Sequence, residues 1–483
     1  MEENKIIVIG LDGAGFELIQ PWIDEGALPN IKKIQEEGCW TDMDVYLPPV
    51  TCPNWKCYST SKNPGNLGAF WWENIDLNTK KFYHPRKNYI KHKEIWDYLS
   101  EKGKKVIIMN MPTTYPAKKV NGILIAGGPD ADDAHFVYPR SLKDQLKQEN
   151  YQIHAEKLNP LIFAKEEIFE SCRSTIEKRF SVFKKLLKNH EWDLAQITIF
   201  HINALQHFFW DDDVTKRMWQ ILDTHIGKLM KQHTLLLMSD HGSNKIDVAF
   251  NINTWLEKNK YLVLKKQTKS IFQKIGLTQE AGYRAANKLG LSKDMLLKIL
   301  PKKILNLIPY SGGEFKGESK NEKIEWEKSK AIACSQGPVY LLNTLKETAD
   351  YEKLRKKLKE DFESLKDPAT GKRIIKKAYF KEEIYCGEYI TEAPDMILDM
   401  EKGVHILGHI GKEAVFEKPN KWKGENKKQG LFMMYGKSIP CKGRIENVHI
   451  LDLAPTILSK LGIEIPASFE GKIITAVQKG IEK

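Results

Sequence analysis

The 483-residue sequence has no apolar run long enough to span a bilayer. Its start, MEENKIIVIGLDG, is acidic and then strand-like. It lacks the basic region and small-residue cleavage site of a secretory signal, so a cytoplasmic protein is expected. Seven cysteines, at 39, 52, 57, 172, 334, 386 and 441, include no close CxxC pair. That argues against a cysteine-ligated metal, and the odd count without a signal predicts free thiols. Zinc-finger spacing, the aromatic-and-glycine pattern of an RNA-binding sheet and internal repeats are all missing. No specific nucleic-acid binding is therefore expected, despite a net charge of +12. Much of that charge is Lys in stretches such as SVFKKLLKNH and LLKILPKKILNLI. These read as packed helices with solvated basic faces, the second interrupted by Pro301.

What is present is a globular composition, 41% apolar and 29% charged. KIIVIGL, VIIMN, DLAQITIFH and TLLLMSD read as strands, at 5–11, 106–110, 193–201 and 234–240. Helical patterns separate them at 93–103, about 165–188 and 213–232. This alternation predicts an α/β fold with a mostly parallel central sheet, covered by helices on both faces. Strand candidates return at 338–343, 404–410 and 431–436, and a helix follows Asp452. The chain reads as a single domain, 1–483, with a first insert or cap region at 111–190 and a second, Lys-rich helical insert at 257–325.

Chemistry collects at strand ends. TLLLMSDHGS closes an apolar strand on Asp240 and His241. In an open α/β sheet that edge is where ligands bind, and an oxygen with an imidazole suits a borderline metal. Asp12 ends the first strand in the same way. In LPPVTCPNW, Thr51 precedes Pro53, which is well placed in a first helical turn. Thr51 is an ordinary N-cap or, near a metal, a hydroxyl activated as a nucleophile. In FHINALQHFFW, Asn203 and His207 are four residues apart on one helix face. His207 is a ligand or a core histidine.

These segments together resemble the type I phosphodiesterase/nucleotide pyrophosphatase family of the alkaline phosphatase superfamily. The resemblance rests on IVIGLDGAG, LPNIKKIQEEG, LPPVTCPNW with SKNPGNLG, the QHFFW stretch, LLLMSDHG, and LDLAPTILSKLGIEIP with FEG. FNINTWLEKNKYL and IEWEKSKAIA extend it over nearly the whole chain. It implies an alkaline-phosphatase-like fold and a two-metal hydrolase of phosphate esters or anhydrides. One ion would be held by Asp12, Thr51, Asp240 and His241, with Thr51 forming a covalent intermediate. The other would fall to Asn203, His207 and Asn426.

That second set departs from the family's pattern of one Asp and two His. Two of its three positions are carboxamides, which hold zinc weakly. Leu67, in NPGNLG, stands where the family often has His. His201, His405 and His409 are further imidazoles that could move in to compensate, though sequence alone does not place them.

The resulting expectation is a metal-dependent hydrolase of phosphodiesters or phosphoanhydrides with an eroded second metal site. Zinc is the expected ion, with manganese or another divalent ion in its place, at one or two per chain. The expected partner is a phosphorylated small molecule or nucleotide. The alternative is a catalytically impaired family member that binds a phosphorylated ligand or partner.

Overall fold

Ile6–Leu11 is buried along its whole length, as a run of Ile, Val and Leu without polar alternation dictates. It pairs in parallel with Leu194–Ile199 on one side and Thr234–Met238 on the other. The computed structural model describes residues 5–128, 131–265, 282, 318–342, 349–419 and 421–478. Among the described residues the central sheet has ten strands. From one edge the order is Gly443–Arg444, Cys39–Asp44, Gln429–Tyr435, Thr234–Met238, Ile6–Leu11, Leu194–Ile199, Val106–Met111, Gly122–Ala126 and Val137–Tyr138. Val448–His449 also pairs with Cys39–Asp44. Gln429–Tyr435 runs antiparallel to both of its neighbours, and Val137–Tyr138 is antiparallel at the far edge. The remaining pairs are parallel.

Successive side chains of a strand point to opposite faces, and the first strand divides accordingly. Ile7, Ile9 and Leu11 enter a core with the helices Phe16–Asp24, Pro29–Glu37, Lys165–Asn189 and Asp213–Met230. Ile6 and Val8 enter the opposite core with Thr51–Thr60, Ile95–Glu101 and Leu453–Lys460. The α/β sandwich expected from the alternation is present.

The stretch 111–190 is built into these layers. Gly122–Ala126 and Val137–Tyr138 extend the sheet, and Lys165–Asn189 packs Ile168, Phe169, Phe180 and Phe183 against it. Most of the stretch 257–325 lies outside the described residues. Beyond it stands a four-stranded antiparallel sheet, ordered Ala331–Ala333, Pro338–Leu341, Met396–Met400 and Ile375–Phe380. A three-stranded sheet, ordered Val404–Leu407, Val248–Asn251 and Phe416–Glu417, shares its core.

The expectation of free thiols throughout is corrected at one pair. Cys39 and Cys441 are joined in a disulfide. Cys39 pairs in parallel register with Gly443, so the strands bring together residues 402 apart in sequence. Cysteine spacing cannot reveal such a neighbour. Cys57, Cys172, Cys334 and Cys386 keep free thiols.

Candidate metal and phosphoryl site

The first strand ends on two glycines with a purpose. A side chain at Gly10 would sit 2.6 Å from the Trp55 ring, so its absence lets that indole reach Asp12. Gly13 takes φ +70°, a left-handed turn, and a side chain there would run into Asn203. Between them in sequence lies Asp12, fully buried. Its Oδ2 accepts the Trp55 indole N–H at 2.8 Å, and its Oδ1 accepts the Asn203 amide at 2.7 Å. The Thr51 hydroxyl stands 3.5 Å from Oδ1.

Thr51 is presented by the loop before its helix. The Asn54 amide donates to the carbonyls of Tyr46, Pro48 and Val50, while its oxygen accepts the Tyr46 N–H. Cys52 has extended backbone angles, and the Cys52–Pro53 bond is cis. Regular helix therefore begins after the cis bond, and Thr51 belongs to the approach. Leu67 is a core residue on the same side of the sheet.

Asp240 and His241 follow Thr234–Met238 on the neighbouring strand. The Gly13 N–H donates to Asp240 Oδ1 at 3.2 Å. His241 Nε2 lies 3.3 Å from Asp240 Oδ2 and 3.7 Å from Asp12 Oδ1. Yet neither His241 Nε2 nor Asp240 Oδ2 takes part in a hydrogen bond. His241 Nδ1 is 2.9 Å from the Gly242 carbonyl. Carrying the proton on Nδ1 leaves the Nε2 lone pair facing the carboxylates, the arrangement of a metal-ligating imidazole.

The electrostatics of this cluster want a positive charge. Burial, and then the neighbouring Asp240, hold the Asp12 carboxyl well above the usual carboxylate range. Burial pushes Asp240 up to about 8, against the hydrogen bonds it accepts. Burial also holds the His241 imidazole below its ordinary value. Among the described residues, Asp12, Asp240 and His241 are the group whose ligand atoms all lie within 4.8 Å of one another. Two carboxylates, an imidazole and a hydroxyl fit a divalent cation.

The second set is placed differently. Asn203 is buried against Asp12, with its Oδ1 unpartnered. His207 Nδ1 lies 2.8 Å from the Gly424 carbonyl, and its ring stacks on Trp422 at 4.1 Å between centroids. Burial drives that imidazole down to about 4. Asn426 lies on Gly424–Lys427, paired with Ser243, and its Oδ1 is also buried without a partner. His201 is engaged elsewhere, accepting the Ala155 N–H at 3.1 Å and facing Arg179 at 3.2 Å. A cavity of about 180 Å³ opens beside Pro49 and Asn426, with Lys376, Lys402 and Lys427 in its wall.

Sequence reasoning passed over Trp55, Asn54, Gln206 and Glu425. Gln206 donates to the carbonyls of Asp12 and Gly13 and clamps the strand end. The Trp of TCPNW was the available signal, since a buried indole N–H requires an acceptor. Glu425 adjoins Asn426 but carries no spacing that marks it.

The model of the family described as type I phosphodiesterase / nucleotide pyrophosphatase matches residues 6–430. The chain belongs to that family. Members of the type I phosphodiesterase family typically depend on divalent metals, in keeping with the cluster at Asp12. No curated protein matches the chain. Among solved structures it is similar to murine ectonucleotide pyrophosphatase/phosphodiesterase 5, an inactive threonine-to-alanine form in complex with AMP. The TM-score is 0.54 at 11% identity, over 96% of each chain. At that identity the likeness establishes the alkaline-phosphatase-like fold.

Proposed function

We propose that this member of the family hydrolyses phosphodiesters or phosphoanhydrides through Thr51. The observation that carries the reading is the Thr51 hydroxyl beside Asp12, Asp240 and His241, whose His241 Nε2 and Asp240 Oδ2 lack hydrogen-bond partners. Asp12, Thr51, Asp240 and His241 would hold the ion, with zinc proposed and manganese the competing choice. When bound, such an ion lowers the pKa of a coordinated hydroxyl and neutralises phosphate oxygens.

The chain's own groups supply the rest. Thr51 Oγ1 attacks phosphorus, its proton passing to the adjacent carboxylates, and the bond from phosphorus to the leaving oxygen breaks. The departing oxygen takes up a proton. Water then attacks the phosphothreonine, restoring the hydroxyl and releasing a phosphomonoester or phosphate. The family relative's AMP supports a nucleotide as the substrate class, and its inactive threonine-to-alanine form supports a threonine in this role.

The Asn203 amide favours a second reading. Its donation to Asp12 at 2.7 Å places a neutral donor where a third carboxylate is expected, which suits a binding protein of reduced activity. Turnover of an activated aryl phosphodiester by the zinc-loaded protein separates the two. Thr51→Ala should abolish turnover with the circular dichroism unchanged. Full activity in that variant rejects Thr51 as the nucleophile, and no turnover by the natural protein across diester and anhydride substrates selects the binding role.

A further inference from the structure

We propose that Glu425, His405 and His207 hold a second divalent cation, in place of the donor set weakened at Asn203 and Asn426. This rests on the reading that Asp12, Thr51, Asp240 and His241 hold the first.

Glu425 is the residue that draws attention. It is a carboxylate, 1% exposed, on the strand Gly424–Lys427. Burying an anion is costly unless something answers its charge. Its Oε1 is occupied, accepting the Asn426 N–H at 2.7 Å and the Gln336 amide at 3.1 Å. Its Oε2 is in no hydrogen bond. His405 Nε2 nonetheless stands 3.1 Å from Oε2. A buried carboxylate oxygen with an imidazole nitrogen this close, and in no hydrogen bond of its own, resembles Asp240 Oδ2 beside His241 Nε2.

His207 completes the group. Its Nδ1 meets the carbonyl of Gly424, the residue before Glu425, which directs Nε2 away from that carbonyl. His207 and His405 flank the same indole, with centroids 4.1 and 6.1 Å from Trp422. Burial raises the Glu425 carboxyl, and the neighbouring His207 then opposes that rise.

The chemistry of the set is one carboxylate and two imidazoles. This restores the charge and donor types of an Asp-His-His site, with the carboxylate moved to residue 425 and one imidazole to residue 405. Such a set suits zinc or another borderline ion. These donors are not gathered within 4.8 Å as those of the first group are, so the ion itself must draw them together.

Gln336 holds the other carboxylate oxygen in place. It has φ +63°, an unusual value for a residue with a side chain, and its oxygen accepts the Trp71 indole N–H at 2.8 Å. Partners that fix the outer face of a carboxylate are what a metal ligand needs.

The test counts metal rather than activity. Chelator-stripped protein is dialysed against zinc chloride and passed over a desalting column, and retained zinc is measured by mass spectrometry. The natural protein should retain about two ions per chain, and Glu425→Gln and His405→Ala about one each. The near-isosteric glutamine limits damage to the fold, and His405→Ala reports independently should Glu425→Gln fail to fold. No ion on the natural protein, or a single ion that Asp240→Asn loses, overturns the proposal. So do two ions on both folded variants, which would make Glu425 and His405 a plain ion pair. Asp240→Asn separates the two readings. If it retains as much zinc as the natural protein, the first site has failed instead. As a second readout, cobalt loading should give visible absorption that changes in His405→Ala.

Discussion

The Trp55 indole N–H holds Asp12 Oδ2 at 2.8 Å, leaving Oδ1 to face Asn203, Thr51 and His241. One oxygen is thereby fixed by the protein and the other presented. Removing such an orienting partner typically costs roughly 10–100-fold in metal affinity. Trp55→Phe, which removes that N–H, should weaken zinc binding by about 10-fold. Calorimetric titration measures this, and an unchanged affinity would show that Asp12 needs no such support.

Asp240→Asn should lower zinc affinity far more than Asn203→Ala. The first removes a charged ligand from the cluster, while the second removes a neutral amide that donates to Asp12. Equal, small losses by calorimetry would refute the assignment of ligands.

Zinc affinity should rise with pH. Asp240 is pushed up to about 8 by burial, above the usual carboxylate value of about 4. Its protonated form therefore stabilises the chelated protein. That contribution is fully present below about 4 and is lost as pH rises through about 8. An ion displaces the proton, so zinc should raise the thermal midpoint more at about pH 8.5 than at about pH 6. Thermal melts with zinc and with chelator test this. A gap that stays constant in the natural protein, or widens equally in Asp240→Asn, would place the titration elsewhere.

Gly13→Ala and Gly26→Ala form a controlled pair. Both glycines have positive φ, +70° and +82°, so each substitution carries a backbone cost of about 1 kcal/mol. Gly26 has nothing within 4 Å of an added carbon, whereas Gly13 faces Asn203 and the Gln206 amide. Gly13→Ala should be the more destabilising by about 1–3 kcal/mol in urea denaturation, and should weaken zinc binding as well. Equal destabilisation would mean that the turn carries no packing constraint from Asn203.

Much of the site was legible because it is written at strand ends. An apolar run stopping on Asp240 and His241, or on Asp12, is a local pattern. The sheet edge then brings such endings together without further information. The β-rich later portion was legible as strands, although periodicity does not report that Gln429–Tyr435 runs antiparallel between two others.

Pairings that depend on packing alone were not legible. Glu425 meets His405 through two different sheets, and Trp55 reaches Asp12 across a glycine whose role is to be small. Cys39 meets Cys441 beside the pairing of Cys39–Asp44 with Gly443–Arg444. The stretch 111–190 looked separate because it is rich in Pro and Lys. Yet its short strands Gly122–Ala126 and Val137–Tyr138 continue the sheet.

The slot taken by Gln429–Tyr435 has a consequence for how the molecule is made. Thr234–Met238 emerges from the ribosome with one flank already able to pair with Ile6–Leu11, while its other flank must wait for the much later Gln429–Tyr435. Cys39–Asp44, translated earlier still, waits for the same strand. Until it arrives, the apolar Thr234–Met238 and the amphipathic Cys39–Asp44 stand with unpaired backbone, a template for association with other nascent chains. A truncation ending shortly before residue 429 leaves that gap permanently, and such a fragment is expected to aggregate rather than persist as a smaller soluble protein.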